Sequence, residues 1–277
     1  MATEATSSRV EDWGRAFVDA TGGRFVRFVG VLEELVAFAI ITLGVMISKF
    51  GHSKRVIRPM IWEEIVRAGI GLMPMVTFLG AALGLVIIGQ TVALLTKAGM
   101  IQFIGPVMVT VVVREVGPLL TAILVLARSG TSNAIELGTA RALGEIEALE
   151  SLAIDPILYL VVPRVIGLAT AVFCLTTYLI LTATVCGYLF AFLQEVPLTP
   201  TVYFRQIGDA LRWEDFAFLA LKTVTFGAVI AIVNCYQGLA RPLKIEDVSR
   251  VTTSAVAQSV IGCVLIDALF LIGYLLI

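Results

Sequence analysis

Four ionisable side chains fall inside stretches of this sequence that are otherwise apolar: Arg114 and Glu115 in one, Lys222 in a second and Asp267 in a third. In lipid hydrocarbon each of them, if isolated, would cost roughly 2.5–3.5 kcal/mol on insertion scales. Two cations and two anions can cancel one another if the three stretches converge. Such a group has two compatible uses. It can fix helix packing as a buried network, or it can line a cavity where it meets lipid headgroups or moves with gating. Other chemistries are absent from the sequence. No GxxxxGK[ST] pattern occurs, so the chain does not cradle a nucleotide's phosphates by that route. The one histidine, His52, sits in a basic turn, which removes a Ser-His dyad, an HExxH zinc site and a histidine relay. Cys174, Cys186, Cys235 and Cys263 all lie in apolar stretches and read as small packing residues rather than a disulfide framework or metal site.

The elements that must position these charges are membrane spans. Apolar residues make up 58% of the 277-residue chain and charged residues 15%, against roughly 45–50% and 25% in a soluble domain. The apolar residues come in blocks long enough to cross a bilayer, near 72–95, 103–127, 160–192, 215–237 and 254–276. The fold class is therefore all-α and polytopic, with five transmembrane helices. The third block exceeds the length a span needs, which implies tilt or an interfacial start before Pro163. Basic residues cluster in the N-terminal tail, at 49–67, at 128–164 and at 241–250, whereas the opposite side holds only Lys97, Arg205 and Arg212. That asymmetry predicts a cytoplasmic N-terminus and an external C-terminus. The first residues, MATEATSSRVEDWGR, include acidic residues and lack a basic region leading into a short apolar one, so no cleavable signal peptide is expected.

Three parts follow: a polar tail at 1–24, amphipathic helices at 25–70, and a membrane domain at 71–277. Residues 25–50 are apolar but interrupted by Arg27, Glu33, Glu34 and Lys49. They suit a helix in the headgroup layer better than a sixth span. A short helix near 60–70 leads into the first span. Within that span Gly80 and Gly84 form a small-xxx-small pair, which allows close backbone approach either inside the chain or between subunits. Ile87, Gln90 and Leu94 recur at helical spacing and share a face. The segment 194–214, with its prolines, tyrosine and tryptophan, reads as a loop at the membrane boundary.

Between the second and third spans lies an amphipathic helix over 133–154. Asn133 and Glu136 have capping-box spacing at its start. Leu143, Ile146, Leu149 and Ala153 fall on one side, with Arg141 and Glu145 as an i,i+4 pair on the other. Asp155 and Pro156 suit the start of the next helix. Such a helix either rests on the membrane or docks into a soluble partner.

REVGPLLTAILVLARSG, then ELGTARALGEIEALESLAIDP and the Pro163-Arg164 pair, resemble the MlaE/YrbE permease family, the membrane subunits of MCE-type ABC lipid transporters. The resemblance runs from about residue 25 to the C-terminus. It takes in Gly80, Gly84, Gln90, the K-T-V around Lys222, and VTTSAVAQSV with the IDALF block that holds Asp267. It implies a bacterial inner-membrane homodimer that binds no cofactor itself. The implied partners are a cytoplasmic ABC ATPase carrying ATP-Mg, a periplasmic MCE-protein ring and a small STAS-type subunit. Phospholipid would be the substrate, and no nucleic acid is involved. The helix at 133–154 would be the coupling helix, with Glu136, Arg141, Glu145 and Glu150 meeting the ATPase. Ile87, Gln90 and Leu94 would line a lipid cavity between the two copies, and Arg114, Glu115, Lys222 and Asp267 would border or brace it. Two departures stand out. Gly144-Glu145 replaces a Glu-Gln pair, and a glycine inside a helix destabilises it by roughly 0.5–1 kcal/mol relative to alanine. GLARPLKIEDVSR replaces a glycine-rich stretch. Two other readings remain: a secondary transporter binding protons at Glu115 and Asp267, and a membrane scaffold that transports nothing.

Overall fold

Length and apolarity predict helices, and the computed structural model describes residues 30, 32–48, 54–193, 199–239 and 243–276 with no strand among them. The tail at 1–24, His52 and Arg241 lie outside the described residues. The helices are α1 (32–48), α2 (Ile57–Lys97), α3 (Ile101–Ala142), α4 (Glu145–Ser151), α5 (Ile157–Leu193), α6 (Pro200–Ala210), α7 (Trp213–Leu239) and α8 (Ile245–Tyr274). Five of them, α2, α3, α5, α7 and α8, are long and apolar enough to cross a membrane.

In lipid there is little hydrophobic force between helices, so small residues that admit close contact decide the packing. Helix α5 occupies the centre, burying Leu168, Val172, Leu175, Leu179 and Ala183. On one side α2 presses its glycines against it. A Cβ at Gly80 would lie 3.1 Å from Thr182 Cβ, and one at Gly84 would lie 2.8 Å from the Gly187 nitrogen and collide with the Ala183 carbonyl. The small-xxx-small pair thus serves packing within the chain. On the other side α7 packs through Phe226, Gly227 and Ile230, all buried. Helix α8 joins α7 by polar contacts: Asn234 Nδ2 donates to Ser259 Oγ at 3.2 Å and Gln237 Nε2 to Gln258 Oε1 at 2.7 Å. Helix α1 lies beside α5 and α7, where Phe38 meets Tyr236 edge-on at 5.6 Å and the Tyr236 hydroxyl bonds the Glu34 carboxylate.

Three sequence expectations change. Helix α3 continues unbroken to Ala142, so Asn133 lies inside a helix and caps nothing. The segment expected as one helix over 133–154 is divided at Gly144. That residue has φ +79° and ends the α3 ladder, with the Leu143 and Gly144 N–H groups donating to the Thr139 and Arg141 carbonyls at 3.0 and 3.2 Å. Glycine populates this left-handed region without the Cβ penalty, so Gly144 favours the bend instead of weakening a helix. The loop at 194–214 contains α6, anchored by Tyr203. That side chain is fully buried beside Tyr188 and Phe204 and its hydroxyl donates to the Thr184 carbonyl at 3.3 Å. Burial pushes the Tyr203 phenol well above its ordinary pKa, so it stays neutral. Asp155 does start α5, its Oδ1 accepting the Ile157 N–H at 3.1 Å.

Candidate functional site

Arg114 and Glu115 are consecutive on α3, so their side chains diverge by about 100° and serve different partners. Both lie in a wide-turn stretch, Val109–Val116, that leads into Gly117-Pro118. Pro118 has no N–H, so it cannot satisfy the Arg114 carbonyl four residues back. Lys222 of α7 reaches this carbonyl, its Nζ donating to the Arg114 oxygen at 2.8 Å. The same ammonium lies 3.2 Å from Glu115 Oε2 and 2.7 Å from Asp267 Oδ1 of α8, with the Lys222 side chain 1% exposed. A buried lysine is tolerated where its donors and its charge are both met, and here two carboxylates and a carbonyl meet them.

Arg114 does not join that group. Its Nε and Nη2 reach Asp215 Oδ1 and Oδ2 at 2.8 and 3.2 Å, a two-pronged pair. Its guanidinium also lies over the Tyr274 ring, 5.1 Å from the centroid. Asp215 was not singled out from sequence, because it stands at the edge of the fourth apolar block. A signal existed: Asp215 and Lys222 are seven residues apart on α7, and Asp267 and Tyr274 are seven apart on α8, so each pair shares a helix face. Antiparallel packing of α7 on α8 stacks them in two layers, Asp215–Arg114–Tyr274 and Lys222–Glu115–Asp267. Two cations thus face three carboxylates. The Glu115 and Asp267 side chains are 25% and 20% exposed, so the second layer opens at one edge.

Ile87, Gln90 and Leu94 are not brought to this cluster by any hydrogen bond or ion pair among the described residues. A wide turn at Gly84–Ile88 shifts the helical register, leaving Ile87 partly buried against the core and Gln90 and Leu94 exposed.

A second polar cluster occupies the other end of α3. Glu136 Oε1 accepts from Arg164 Nη2 of α5 at 2.8 Å, and Glu136 Oε2 accepts from Arg67 Nη1 of α2 at 3.0 Å. One turn earlier, Asn133 Oδ1 accepts from Arg67 Nη2 at 3.1 Å while its Nδ2 donates to Glu64 Oε1 at 2.9 Å. Arg67 also pairs with Glu64 on its own helix. Glu64, Asn133 and Arg164 are buried. Beyond this cluster the chain turns outward. Arg141 pairs with Glu147 at 3.2 Å rather than with Glu145, and Glu145, Glu147 and Glu150 are exposed. Leu143 and Leu152 are exposed beside them, while Ile146 is buried.

Five candidate spans, charges held between three of them and an exposed acidic turn define a multi-pass membrane protein of the permease type. The family model "Permease MlaE" matches residues 61–272, and the chain belongs to that family. It is similar to a probable ABC transporter permease protein of Rickettsia prowazekii, 29% identical over 85% of this chain and 88% of the relative. A probable ABC transporter permease protein of Synechocystis is 36% identical over 57% of this chain and 60% of its own length. A chloroplast protein of Arabidopsis thaliana named trigalactosyldiacylglycerol 1 is 32% identical over 69% of this chain and 53% of its own. The chain is a membrane-spanning permease of an ABC transporter.

Proposed function

We propose that this permease moves phospholipid between a bacterial inner membrane and a periplasmic MCE-protein ring, driven by a separate cytoplasmic ATPase. Two copies form a cavity between them, its walls including Ile87, Gln90 and Leu94. The chain itself is non-catalytic: it binds no ATP-Mg, and a small STAS-type subunit joins the ATPase side. The N-terminus is cytoplasmic and the C-terminus periplasmic, following the basic-residue asymmetry. The observation that carries the reading is the turn after α3, where exposed Leu143 and Leu152 stand among exposed Glu145, Glu147 and Glu150. Apolar knobs ringed by carboxylates suit a soluble partner's groove with a basic rim. The relative named for a galactolipid supports lipid as the cargo class.

Purification of the native complex tests this. An ATPase, an MCE-domain protein and phospholipid are expected together in its mass spectrum, and a complex lacking ATPase and lipid would overturn the proposal. One observation favours a second reading, a proton-coupled transporter: the charge cluster holds three carboxylates against two cations. Lipid movement driven by a pH gradient in vesicles without any ATPase would select it.

A further inference from the structure

We infer that Glu136 is a positioning residue, a clamp through which the partner-facing turn pulls on α2 and α5, and not itself a contact for the ATPase. The inference rests on the ATP-driven reading above. Both carboxylate oxygens of Glu136 are engaged inside the chain, one by Arg164 of α5 and the other by Arg67 of α2. Arg164 is 7% exposed, and its Nη1 donates to the Leu160 carbonyl of its own helix at 3.0 Å. Glu136 is therefore the carboxylate that compensates a buried guanidinium, and such a group resists being withdrawn. Asn133 doubles the tie by bridging Arg67 and Glu64, which lie three residues apart on α2 and so share a face.

The neighbouring acids are different. Glu136 is itself half exposed, so pairing is what separates them: Glu145 and Glu150 make no ion pair among the described residues, and Glu147 pairs there only with Arg141. They are free to meet a partner, whereas Glu136 is committed to α2 and α5. From Glu136 to the bend at Gly144 is eight residues, about 12 Å of helix. A displacement at the turn therefore reaches the clamp through two turns of continuous α3.

The test uses the assembled permease–ATPase complex in phosphatidylethanolamine–phosphatidylglycerol vesicles, with three readouts: ATPase affinity, hydrolysis rate, and labelled phospholipid moved per ATP. Glu136→Gln is expected to keep affinity and hydrolysis within about twofold while lipid moved per ATP falls at least about fivefold. Arg164→Gln should shift the same readout, and the double variant should be no worse than Glu136→Gln alone, because both remove the Glu136–Arg164 tie. Glu145→Gln should instead weaken ATPase affinity. A tenfold loss of affinity in Glu136→Gln would make it a direct contact and overturn the proposal. So would hydrolysis and transfer falling in parallel, or additive losses in the double variant. If Glu136→Gln does not accumulate, Arg67→Lys keeps the charge on a side chain that is 46% exposed and loses the two-sided bridge. It should show the same split, and unchanged lipid per ATP would overturn the clamp. A wild-type complex that moves no lipid would refute the transport reading itself, and affinity would still separate clamp from contact.

Discussion

Lys222→Met is the sharpest perturbation of the inter-helix charges. It keeps an unbranched side chain of similar length and removes the ammonium that lies 2.7 Å from Asp267 and 3.2 Å from Glu115. Two carboxylates then face each other with no cation between them, and the Arg114 carbonyl loses the Lys222 ammonium as a donor. Removing one partner of a buried ion pair destabilises by about 3–5 kcal/mol. The partial exposure of Glu115 and Asp267 lets water screen some of the repulsion, which places the effect near the lower bound, about 3 kcal/mol. At roughly 2–4 °C per kcal/mol for a chain of this size, the melting temperature should fall by about 6–12 °C. The triple variant Lys222→Met, Glu115→Gln, Asp267→Asn removes every charge of the Lys222 layer while leaving the Arg114–Asp215 pair, and replacing a complete buried ion group is often close to neutral. It should recover most of the loss. Thermal unfolding of detergent-solubilised protein, followed by size-exclusion fluorescence, gives both numbers. A single variant melting within about 2 °C of wild type, or a triple variant no better than the single, would refute the idea that Lys222 balances these carboxylates.

Three further substitutions test the packing and the bend, one of them as a control. Gly84→Ala places a methyl against the Ala183 carbonyl and 2.9 Å from Cys186 Cβ, and should destabilise by about 1–3 kcal/mol in the same melting assay. Gly208→Ala, with nothing within 4 Å of its Cβ, is the matched control and should melt no lower than wild type. Gly144→Ala must either hold φ near +79° or extend α3. The left-handed conformation alone costs about 1–2 kcal/mol, and stimulation of the partner ATPase should fall because the exposed leucines and glutamates are reoriented.

The spans and most of the charges were legible because each depends on local composition. A run of apolar residues is long enough or it is not, and Arg114, Glu115, Lys222 and Asp267 are conspicuous against it. Their pairing was less legible, since it depends on helix rotation. Asp215 looked like a boundary residue until α7 placed it two turns from Lys222 on the same face. Asn133 shows the limit of local signals. Its spacing to Glu136 satisfies a capping box, yet the apolar content of 101–130 carries the helix through it, and the side chain bridges α2 instead. Gly144 misled in the opposite sense, because a glycine assumed to lie inside a helix turned out to end one. Residues 87, 90 and 94 obey a 3.6 period, but a wide turn at Gly84–Ile88 interrupts that period upstream, and no sequence rule signals where such a turn falls.

The two polar clusters acquire meaning from the helix that joins them. Among the described residues α3 alone contributes to both: Arg114 and Glu115 tie it to α7 and α8, while Asn133 and Glu136 tie it to α2 and α5. The 22 residues from Arg114 to Glu136 correspond to about 33 Å of helix, so one rod links charges at opposite ends of the bundle. Between them Arg128 Nη1 donates to the Gly71 carbonyl of α2 at 2.8 Å, beside a second wide turn at Leu126–Gly130. Such turns are where helices bend. A push at the turn beyond Gly144 therefore has two outcomes available. Either α3 moves as a rigid rod and strains the Arg114–Asp215 and Lys222 pairs, or it flexes near Gly130 and leaves them intact. The ion pairs at the Lys222 end resist the first, since buried partners are costly to separate. The wide turn lowers the resistance to the second. On the proposed ATP-driven reading, motion delivered at the acidic turn should be absorbed first by α2 and α5 through Glu136, and should reach α7 and α8 only when the displacement exceeds what the Gly130 region can bend.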